Sequence, residues 1–327
     1  NSVTDGWSDD GYYYYENGQK VVSQFKTIDG KTYYFQGSGS LCRGGMYSID
    51  SDRYYFDENG VMQTNFAYDT MYFGEDGKQV YDQWVQFGDK WRYYGDVGCY
   101  YEGYFFCIDH EYYAFDSDGF ALNGWQELHG GWFYLSDKGM CLTNQWVDGN
   151  QYYVDASGEM VTNKWIDDSN YVGVDGKKTV NTWEQVDGKY KYKLGDGTYV
   201  KQRMVLINGQ YYAFDYDGYM VTDNTTYIDN YNLVNSVSGT VHAGKDGVLV
   251  KGRYTNSAQT TYYFGDNYFA YDNGLYTIDG KTYYFQYGYL VKSNTFVNNG
   301  KLYSSDENGV VTLIDSTGQT KWIQYGN

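Results

Sequence analysis

Short runs of aromatic residues alternate along the chain with two-residue turn sequences. The phrase TIDGKTYYFQ occurs at residues 27–36 and again, unchanged, at residues 277–286. DG and NG dipeptides favour the positive φ angles of tight hairpin turns, and the rings that follow them suit strands. In GQYYAFDYDGYMVTD, residues 209–223, a strand over 211–214 leads to a turn over 215–218 and returns over 219–222. Each unit of the pattern therefore predicts one β-hairpin.

The glycine that closes each aromatic phrase recurs at a nearly regular spacing. These glycines are Gly18, Gly39, Gly60, Gly77, Gly98, Gly119, Gly139, Gly158, Gly176, Gly197 and Gly218. Their ten intervals cover 200 residues (218 − 18), so the mean spacing is 20 residues. A lone two-stranded hairpin is marginal in water, and such units must bury their rings against their neighbours. The sequence predicts an all-β solenoid of stacked β-hairpin repeats of about 20 residues.

The regular spacing falters after Gly218. Residues 226–254 keep scattered turn signals but lose the paired aromatic residues, and regular phrasing resumes with TTYYF at 260–264. We therefore predict a hairpin repeat array over residues 1–225, an irregular joint over 226–254, and a continued array over 255–327.

The composition leaves little aliphatic material for a conventional core. The chain has 44 Tyr, 41 Gly and no Pro, and aromatic residues make up 21% of it. Its rings must pack on each other or meet ligands. A formal net charge of −18 would repel nucleic acid and anionic membranes. No apolar run approaches the roughly 18 residues needed to span a bilayer, and no signal peptide begins at Asn1, so we expect a mature or excised chain without membrane insertion.

The stretch NGWQELHGGWFYLSDKGMCLTNQWVDGNQYYVDASGEMVTNKW, residues 123–165, resembles the choline-binding repeats of Gram-positive cell-wall proteins. The phrases DGKTYYF and NGQYYAFDYDGYMVT are more similar to the glucan-binding repeats of glucansucrases and the oligopeptide repeats of clostridial toxins. This resemblance covers nearly the whole chain except the joint. It implies a binding module that is secreted or displayed at the cell surface of a Gram-positive bacterium.

The resemblance also implies where ligands bind. In the choline-binding relatives, a cage between consecutive hairpins combines the Gly-Trp ring, the first hairpin ring of the same unit and a ring of the next unit. Carried over to this chain, one cage is Trp125, Trp132 and Tyr152, a second is Trp146, Tyr152 or Tyr153, and Tyr171, and Trp84 with Trp91 would start a third. Trp165 stands at the same kind of turn position as Trp125 and Trp146. Electron-rich ring faces attract a quaternary ammonium group by cation–π interaction.

Most units depart from the choline-binding pattern because tyrosine replaces tryptophan as the first hairpin ring. Tyr33, Tyr211 and Tyr283 are examples, and Asp, Asn, Gln or Lys lies within two or three residues of each. Exposed rings with a few placed polar groups suit the apolar faces and hydroxyls of pyranose rings. Repetition adds avidity on a polymer. We predict binding of a polysaccharide, with an α-glucan as the specific expectation. Choline on teichoic acid, or a host receptor for an adhesin or toxin, stays an alternative.

The sequence contains no recognisable catalytic motif. Its three histidines lie in unrelated phrases, and no GxSxG, HExxH or Walker-type loop occurs. Most aspartates, such as Asp215 and Asp217, occupy turn positions, and DSDG at 116–119 is better explained as a turn than as a calcium loop. We therefore expect no catalytic site, no cofactor and no metal in this chain. The four cysteines predict either one or two disulfides or free buried thiols.

Overall fold

The computed structural model describes residues 4–229 and 237–315. Residues in these ranges form strands and turns, and none of them lies in a helix. No helix able to cross a membrane was found in this part of the chain. The chain divides into two compact units. Unit 1 comprises Asn1–Gln145 and Val154–Met160, and unit 2 comprises Trp146–Tyr153 and Val161–Asn327.

Antiparallel pairs of consecutive strands are the building blocks of both units. The strands up to the boundary between the units are β1 (Gly6–Trp7), β2 (Tyr14–Glu16), β3 (Gln19–Lys20), β4 (Gln24–Ile28), β5 (Lys31–Phe35), β6 (Gly45–Ile49), β7 (Asp52–Phe56), β8 (Phe66–Tyr68), β9 (Met71–Phe73), β10 (Gln83–Phe87), β11 (Lys90–Tyr94), β12 (Gly103–Ile108), β13 (Glu111–Phe115), β14 (Gly124–Leu128), β15 (Gly131–Leu135), β16 (Gln145–Val147) and β17 (Tyr152–Val154). The strands that follow are β18 (Lys164–Trp165), β19 (Tyr171–Val172), β20 (Thr182–Val186), β21 (Lys189–Lys193), β22 (Arg203–Ile207), β23 (Gln210–Phe214), β24 (Asn224–Ile228), β25 (Gly239–Ala243), β26 (Gly252–Thr255), β27 (Thr261–Phe264), β28 (Gly274–Ile278), β29 (Lys281–Gln286), β30 (Tyr289–Leu290), β31 (Asn294–Asn298), β32 (Lys301–Ser305) and β33 (Val311–Asp315).

The two-residue turns form the hairpins, as the β22–β23 pair illustrates. Ile207 pairs with Gln210 across the turn residues Asn208 and Gly209, whose φ angles are 50° and 81°. Two positive φ angles in a two-residue loop match the twist of the flanking strands. The main hairpin therefore lies across this turn. The pairing predicted between the strand over 211–214 and residues 219–222 is reduced to one bridge, between Phe214 and Met220, and Tyr219 bridges instead to Lys191 of the preceding hairpin.

The segment after each four-residue turn joins one hairpin to the previous one. The Met62 amide donates to the Thr32 carbonyl of the preceding hairpin at 2.7 Å, and the adjacent Gln63 amide donates to Tyr55 of its own hairpin at 2.9 Å. Because the segment serves two hairpins, it cannot form a long ladder with either. The bond to a preceding hairpin recurs at Gln79, Ala121, Cys141, Met220, Leu249 and Ala270.

The core of each unit contains a row of buried side chains, which come from the residue at or next to the end of each second strand. Members of this row are Phe35, Phe56, Phe73, Tyr94, Phe115 and Leu135 in unit 1, and Val172, Leu194, Phe214, Ala243, Phe264 and Phe285 in unit 2. At most of these positions the side chain is a large ring, so aromatic side chains supply much of the buried core. The prediction of an all-β fold of stacked β-hairpin repeats is thereby confirmed within each unit.

Strand pairing continues through part of the predicted joint over residues 226–254. Strand β24 pairs with β25 in five register pairs that run from Asn224↔Ala243 to Ile228↔Gly239. Residues 230–236 of the joint lie outside the described residues. The described part of the joint thus has the same hairpin pairing as the array, and the division of the chain at 226 and 254 stays a prediction.

All four cysteines carry free thiols in the structure, but only two of them are the buried thiols that the second alternative predicted. Cys42 and Cys141 are buried, and burial raises the pKa of both thiols. A raised pKa keeps them protonated and unreactive near neutral pH. Cys107 is exposed, and Cys99 is half-buried.

Candidate functional site

A cross-strand pair of rings is the recurring element from which candidate binding surfaces are built. Trp84 stands opposite Tyr93 in the β10–β11 register, with ring centroids 5.2 Å apart, and Trp125 stands opposite Tyr134 in β14–β15, with centroids 5.1 Å apart. These edge-to-face contacts contribute about 0.5–1.5 kcal/mol each beyond area burial. Part of the indole surface at this position is therefore already covered by the tyrosine of the same hairpin.

The structure brings the predicted pair Trp84 and Trp91 together around a lysine. The Nζ atom of Lys138 lies 3.9 Å from the ring centroid of Trp91 and 5.9 Å from that of Trp84. Trp84 also contacts Tyr113, with centroids 5.1 Å apart. This predicted cage thus contains several rings, and a cation of the chain itself lies on them.

The predicted cage of Trp125, Trp132 and Tyr152 draws on both units. Trp125 is half-buried in unit 1, where Trp132 is 44% exposed, whereas Tyr152 is half-buried in unit 2. Trp132 is anchored through its backbone carbonyl, which accepts a 2.8 Å bond from the Met160 amide. The large exposed fraction of Trp132 leaves much of its indole accessible to a ligand.

The second predicted cage is divided between two different contacts of unit 2. Trp146 packs edge-to-face on Tyr153, with centroids 5.4 Å apart, and the Nζ atom of Lys178 lies 5.0 Å from the Trp146 ring. Tyr171 instead packs against Trp165, with centroids 5.5 Å apart. Trp146 and Tyr153 remain half-buried and partly accessible.

Trp165 and Tyr171 belong to the core of unit 2. Trp165 is 4% exposed, and the guanidinium carbon of Arg203 lies 4.1 Å from its ring centroid. Both rings pack in a buried cluster with Leu194 and Val200. This burial disagrees with the expectation that they present open faces to a ligand, because the neighbouring strands and Arg203 already cover those faces.

The three predicted tyrosines differ in how much ring they expose. Tyr33 is buried against Trp7, with centroids 5.0 Å apart, and so serves the core instead of an open surface. The Tyr211 hydroxyl donates a 2.6 Å hydrogen bond to Asp168 Oδ2. Burial and this bond raise the pKa of Tyr211 far above its usual range. Tyr211 is thus also engaged within the fold.

Tyr283 remains accessible at a small cleft of unit 2. It is half-buried and lines a space of about 120 Å³ together with Tyr262, Arg253 and Asp279. The space combines several rings with charges of both signs. Its volume lies below the roughly 300–1,000 Å³ of most ligand pockets, so it can accept only part of a ligand.

A larger cleft in unit 2 was missed by the sequence analysis. We call it the polar cleft, with a volume of about 530 Å³ and a lining that includes Lys189, Tyr190, Tyr219, Asn224, Lys245 and Asp246. Tyr190 is 48% exposed and packs edge-to-face on Trp183, with centroids 6.2 Å apart. The cleft therefore offers an open phenol face, amide and carboxylate acceptors, and ammonium donors within a volume typical of ligand sites.

A second ring in the polar cleft is held in place by a cation. The Nζ atom of Lys191 lies 4.1 Å from the Tyr219 ring centroid and donates a 2.9 Å bond to the Asp217 carbonyl. Desolvation is the main cause that raises the pKa of the Tyr219 hydroxyl, and the negative charge of Asp187 raises it further. Tyr219 therefore stays neutral and keeps its hydroxyl proton at neutral pH.

The carboxylate of the calcium-like sequence DSDG accepts hydrogen bonds from backbone amides of its own turn. Asp116 Oδ1 accepts the amides of Asp118 and Phe120, both at 2.9 Å. Among the residues that the structure describes, no group of three or more His, Cys, Asp or Glu side chains is arranged to hold a metal ion. These observations explain the acidic turns as structural elements.

Repeated hairpins that bear cross-strand ring pairs are the architecture of this chain. Two family models match parts of it. The choline-binding repeat matches residues 119–159, and the putative cell wall binding repeat matches residues 23–41 and 47–62. These matches confirm the resemblance to the cell-wall-binding repeat family.

Individual relatives share the repeats at moderate identity. The chain is 29% identical to a glucosyltransferase-I of Streptococcus downei over 95% of its own length, but it spans only 19% of that protein. The choline-binding domain of CbpL from Streptococcus pneumoniae is 27% identical and is covered completely by 57% of this chain, with a TM-score of 0.46. Choline binding protein F of the same organism is 24% identical over 95% of this chain and 99% of its own, with a TM-score of 0.30.

Proposed function

We propose that the chain is a non-catalytic carbohydrate-binding module that holds an α-glucan. The observation that carries this proposal is the polar cleft, where the exposed face of Tyr190 adjoins Asn224, Lys245 and Asp246. A pyranose ring placed on a phenol keeps its hydroxyls at the rim of the contact, where such groups can bond to them. The similarity to a streptococcal glucosyltransferase adds support for a glucan partner.

Weak single sites suffice if the partner is a polymer. Linked sites act at high effective concentration, so avidity exceeds the affinity of one cleft. The half-buried Tyr283 at its smaller cleft would supply a further contact. We infer that the module acts outside the cell, at a Gram-positive surface or on a secreted parent protein, in line with the cell wall binding repeats that it contains.

The test is native gel electrophoresis in gels containing dextran, amylopectin or no polysaccharide. The wild-type chain should be retarded by an α-glucan, and Tyr190→Ala should weaken the retardation at least about threefold in apparent affinity, as expected for the loss of one ring contact. Tyr287→Ala is the matched control, because Tyr287 is an exposed tyrosine of unit 2 outside the cleft. Unretarded wild-type protein in every polysaccharide would refute the proposal, and the lack of a response to choline as well would favour a protein partner.

Attachment to choline on teichoic acid is the second candidate function. It is favoured by the choline-binding repeat at residues 119–159, which contains the exposed Trp132. In that case choline at about 10 mM should raise the melting temperature by mass action, and Trp132→Ala should abolish the rise. Wild-type protein whose melting temperature is the same in choline and in sodium chloride would exclude it.

A further inference from the structure

A buried arginine occupies the aromatic site formed by Trp165. Arg203 is only 2% exposed, and its guanidinium carbon lies 4.1 Å from the centroid of an indole that is itself 4% exposed. Tyr171 and Tyr199 line the same region of about 160 Å³. Strand β22 therefore delivers a delocalised cation to a ring surface contributed by β18 and β19.

Two lysines occupy the faces of other tryptophans at predicted sites. Lys138 lies in the turn after β15, and its Nζ atom reaches Trp91 of β11 at 3.9 Å. Lys178 follows β19, and its Nζ atom lies 5.0 Å from Trp146 of β16. In each case the cation comes from a later part of the chain than the ring, and each pair lies within one unit.

We propose that Lys138, Lys178 and Arg203 are built-in ligands that close these tryptophan sites to external cations. An indole face attracts an ammonium, a guanidinium and a quaternary ammonium group by the same interaction. A tethered cation competes at a high effective concentration, so an external quaternary ammonium must displace it before binding. The three side chains thereby determine specificity, because they disfavour cationic guests at Trp91, Trp146 and Trp165.

This inference does not rest on glucan binding, because it concerns only sites that the chain fills itself. It also separates four of the tryptophans into two groups. Trp91, Trp146 and Trp165 carry an internal cation, whereas Trp132 is exposed at 44% in the segment that matches the choline-binding repeat. A choline response at Trp132 would therefore leave the proposal intact.

The experiment follows the indole N–H resonances of ¹⁵N-labelled protein during titration with tetramethylammonium chloride, with sodium chloride as the salt control. In the wild type, the Trp91 resonance should stay in place up to about 20 mM, since the internal lysine competes. In Lys138→Ala it should move along a saturable curve. Lys31→Ala is the control, because Lys31 is an exposed lysine at the start of a strand. An equal response of Trp91 in wild type and Lys138→Ala, or no response in either, would overturn the proposal.

The buried site is tested by chemical rescue. Arg203→Ala should melt below the wild type, and about 20 mM methylguanidinium should raise its melting temperature by about 2 °C relative to sodium chloride. Wild type and Arg53→Ala, which removes an exposed arginine of β7, should rise by less than half as much. Equal rises in all three proteins would contradict the inference. Lys138 is exposed, and its variant is expected to fold. If Arg203→Ala does not fold, the Trp91 titration tests the proposal by itself.

Discussion

Replacing Gly139 by alanine should separate the cost of a turn conformation from the cost of disturbing hairpin stacking. Gly139 has a φ of 79°, and a Cβ atom at this position would lie 2.7 Å from the backbone oxygen of Ala114 in the preceding hairpin. Gly30 has almost the same φ, 75°, but no heavy atom lies within 4 Å of its Cβ position. The two glycines therefore form a matched pair.

The magnitudes follow from these two environments. An alanine in the left-handed region costs roughly 1–2 kcal/mol, which applies to both variants. At Gly139 the clash is with backbone, so the turn must move away from β13. That movement weakens the 3.0 Å bond from the Ala114 amide to the Gly139 carbonyl, and the loss of such a bond costs about 0.5–1.5 kcal/mol. We expect Gly139→Ala to lose at least about 1 kcal/mol more than Gly30→Ala.

Urea unfolding followed by tryptophan fluorescence measures this difference. The prediction is a lower midpoint for Gly139→Ala than for Gly30→Ala at an unchanged slope. Equal losses in the two variants would refute the reasoning, because they would show that the close approach of the turn to the preceding hairpin contributes nothing to stability.

Three further perturbations test the packing and the charges. Phe56→Ala empties a fully buried position and should lower the free energy of unfolding, measured in urea, by about 3–5 kcal/mol. Tyr287→Ala, at an exposed position, should change it by no more than about 0.5 kcal/mol, and similar losses in the two variants would argue against the buried row. Burial and Asp168 raise the pKa of Tyr211, so its stabilising contribution is present below about pH 10 and falls as the pH rises further. The stability of Tyr211→Phe should therefore fall less steeply at alkaline pH than that of the wild type, and parallel curves of stability against pH would contradict this. Burial lowers the pKa of His242, so its imidazole should titrate below about pH 6.5 in NMR. Its stabilising contribution should be lost as the pH falls through this lowered pKa, and a titration at or above pH 6.5 would refute the reasoning.

The hairpin repeats could be predicted because their signals are local. Asn208 and Gly209 specify a two-residue turn, and the strand register follows from it. The role of the segment after each four-residue turn was harder to predict, since residues such as Met62 bond to a hairpin that lies a full repeat earlier. That distribution of bonds is a property of stacking and has no local sequence signal.

Exposure of individual rings could not be predicted from the repeat pattern alone. Tyr33 and Tyr283 occupy equivalent places in the same ten-residue phrase, yet Tyr33 is buried against Trp7 and Tyr283 lines a cleft. The neighbouring repeat decides which ring is covered. For the same reason, the burial of Trp165 depends on Arg203, which stands far from it in sequence.

Part of the polar cleft has a local sequence signal. Strand β21 reads KYKYK, and its period of two places Tyr190 and Tyr192 on one face of the hairpin. Both rings contact Trp183, with centroids 6.2 and 5.1 Å away. The polar groups contributed by Asn224 and Asp246 come from later segments, so the complete cleft required the tertiary structure.

Mapping a short α-glucan oligosaccharide onto the chain by NMR tests the central claim most directly. Titration of ¹⁵N-labelled protein should shift the backbone amides of Tyr190 and Asn224 and the indole of Trp183, which adjoins the polar cleft. The indoles of Trp91 and Trp165, covered by internal cations, should stay in place. Shifts confined to those two indoles, or no shifts at the polar cleft at saturating oligosaccharide, would contradict the account.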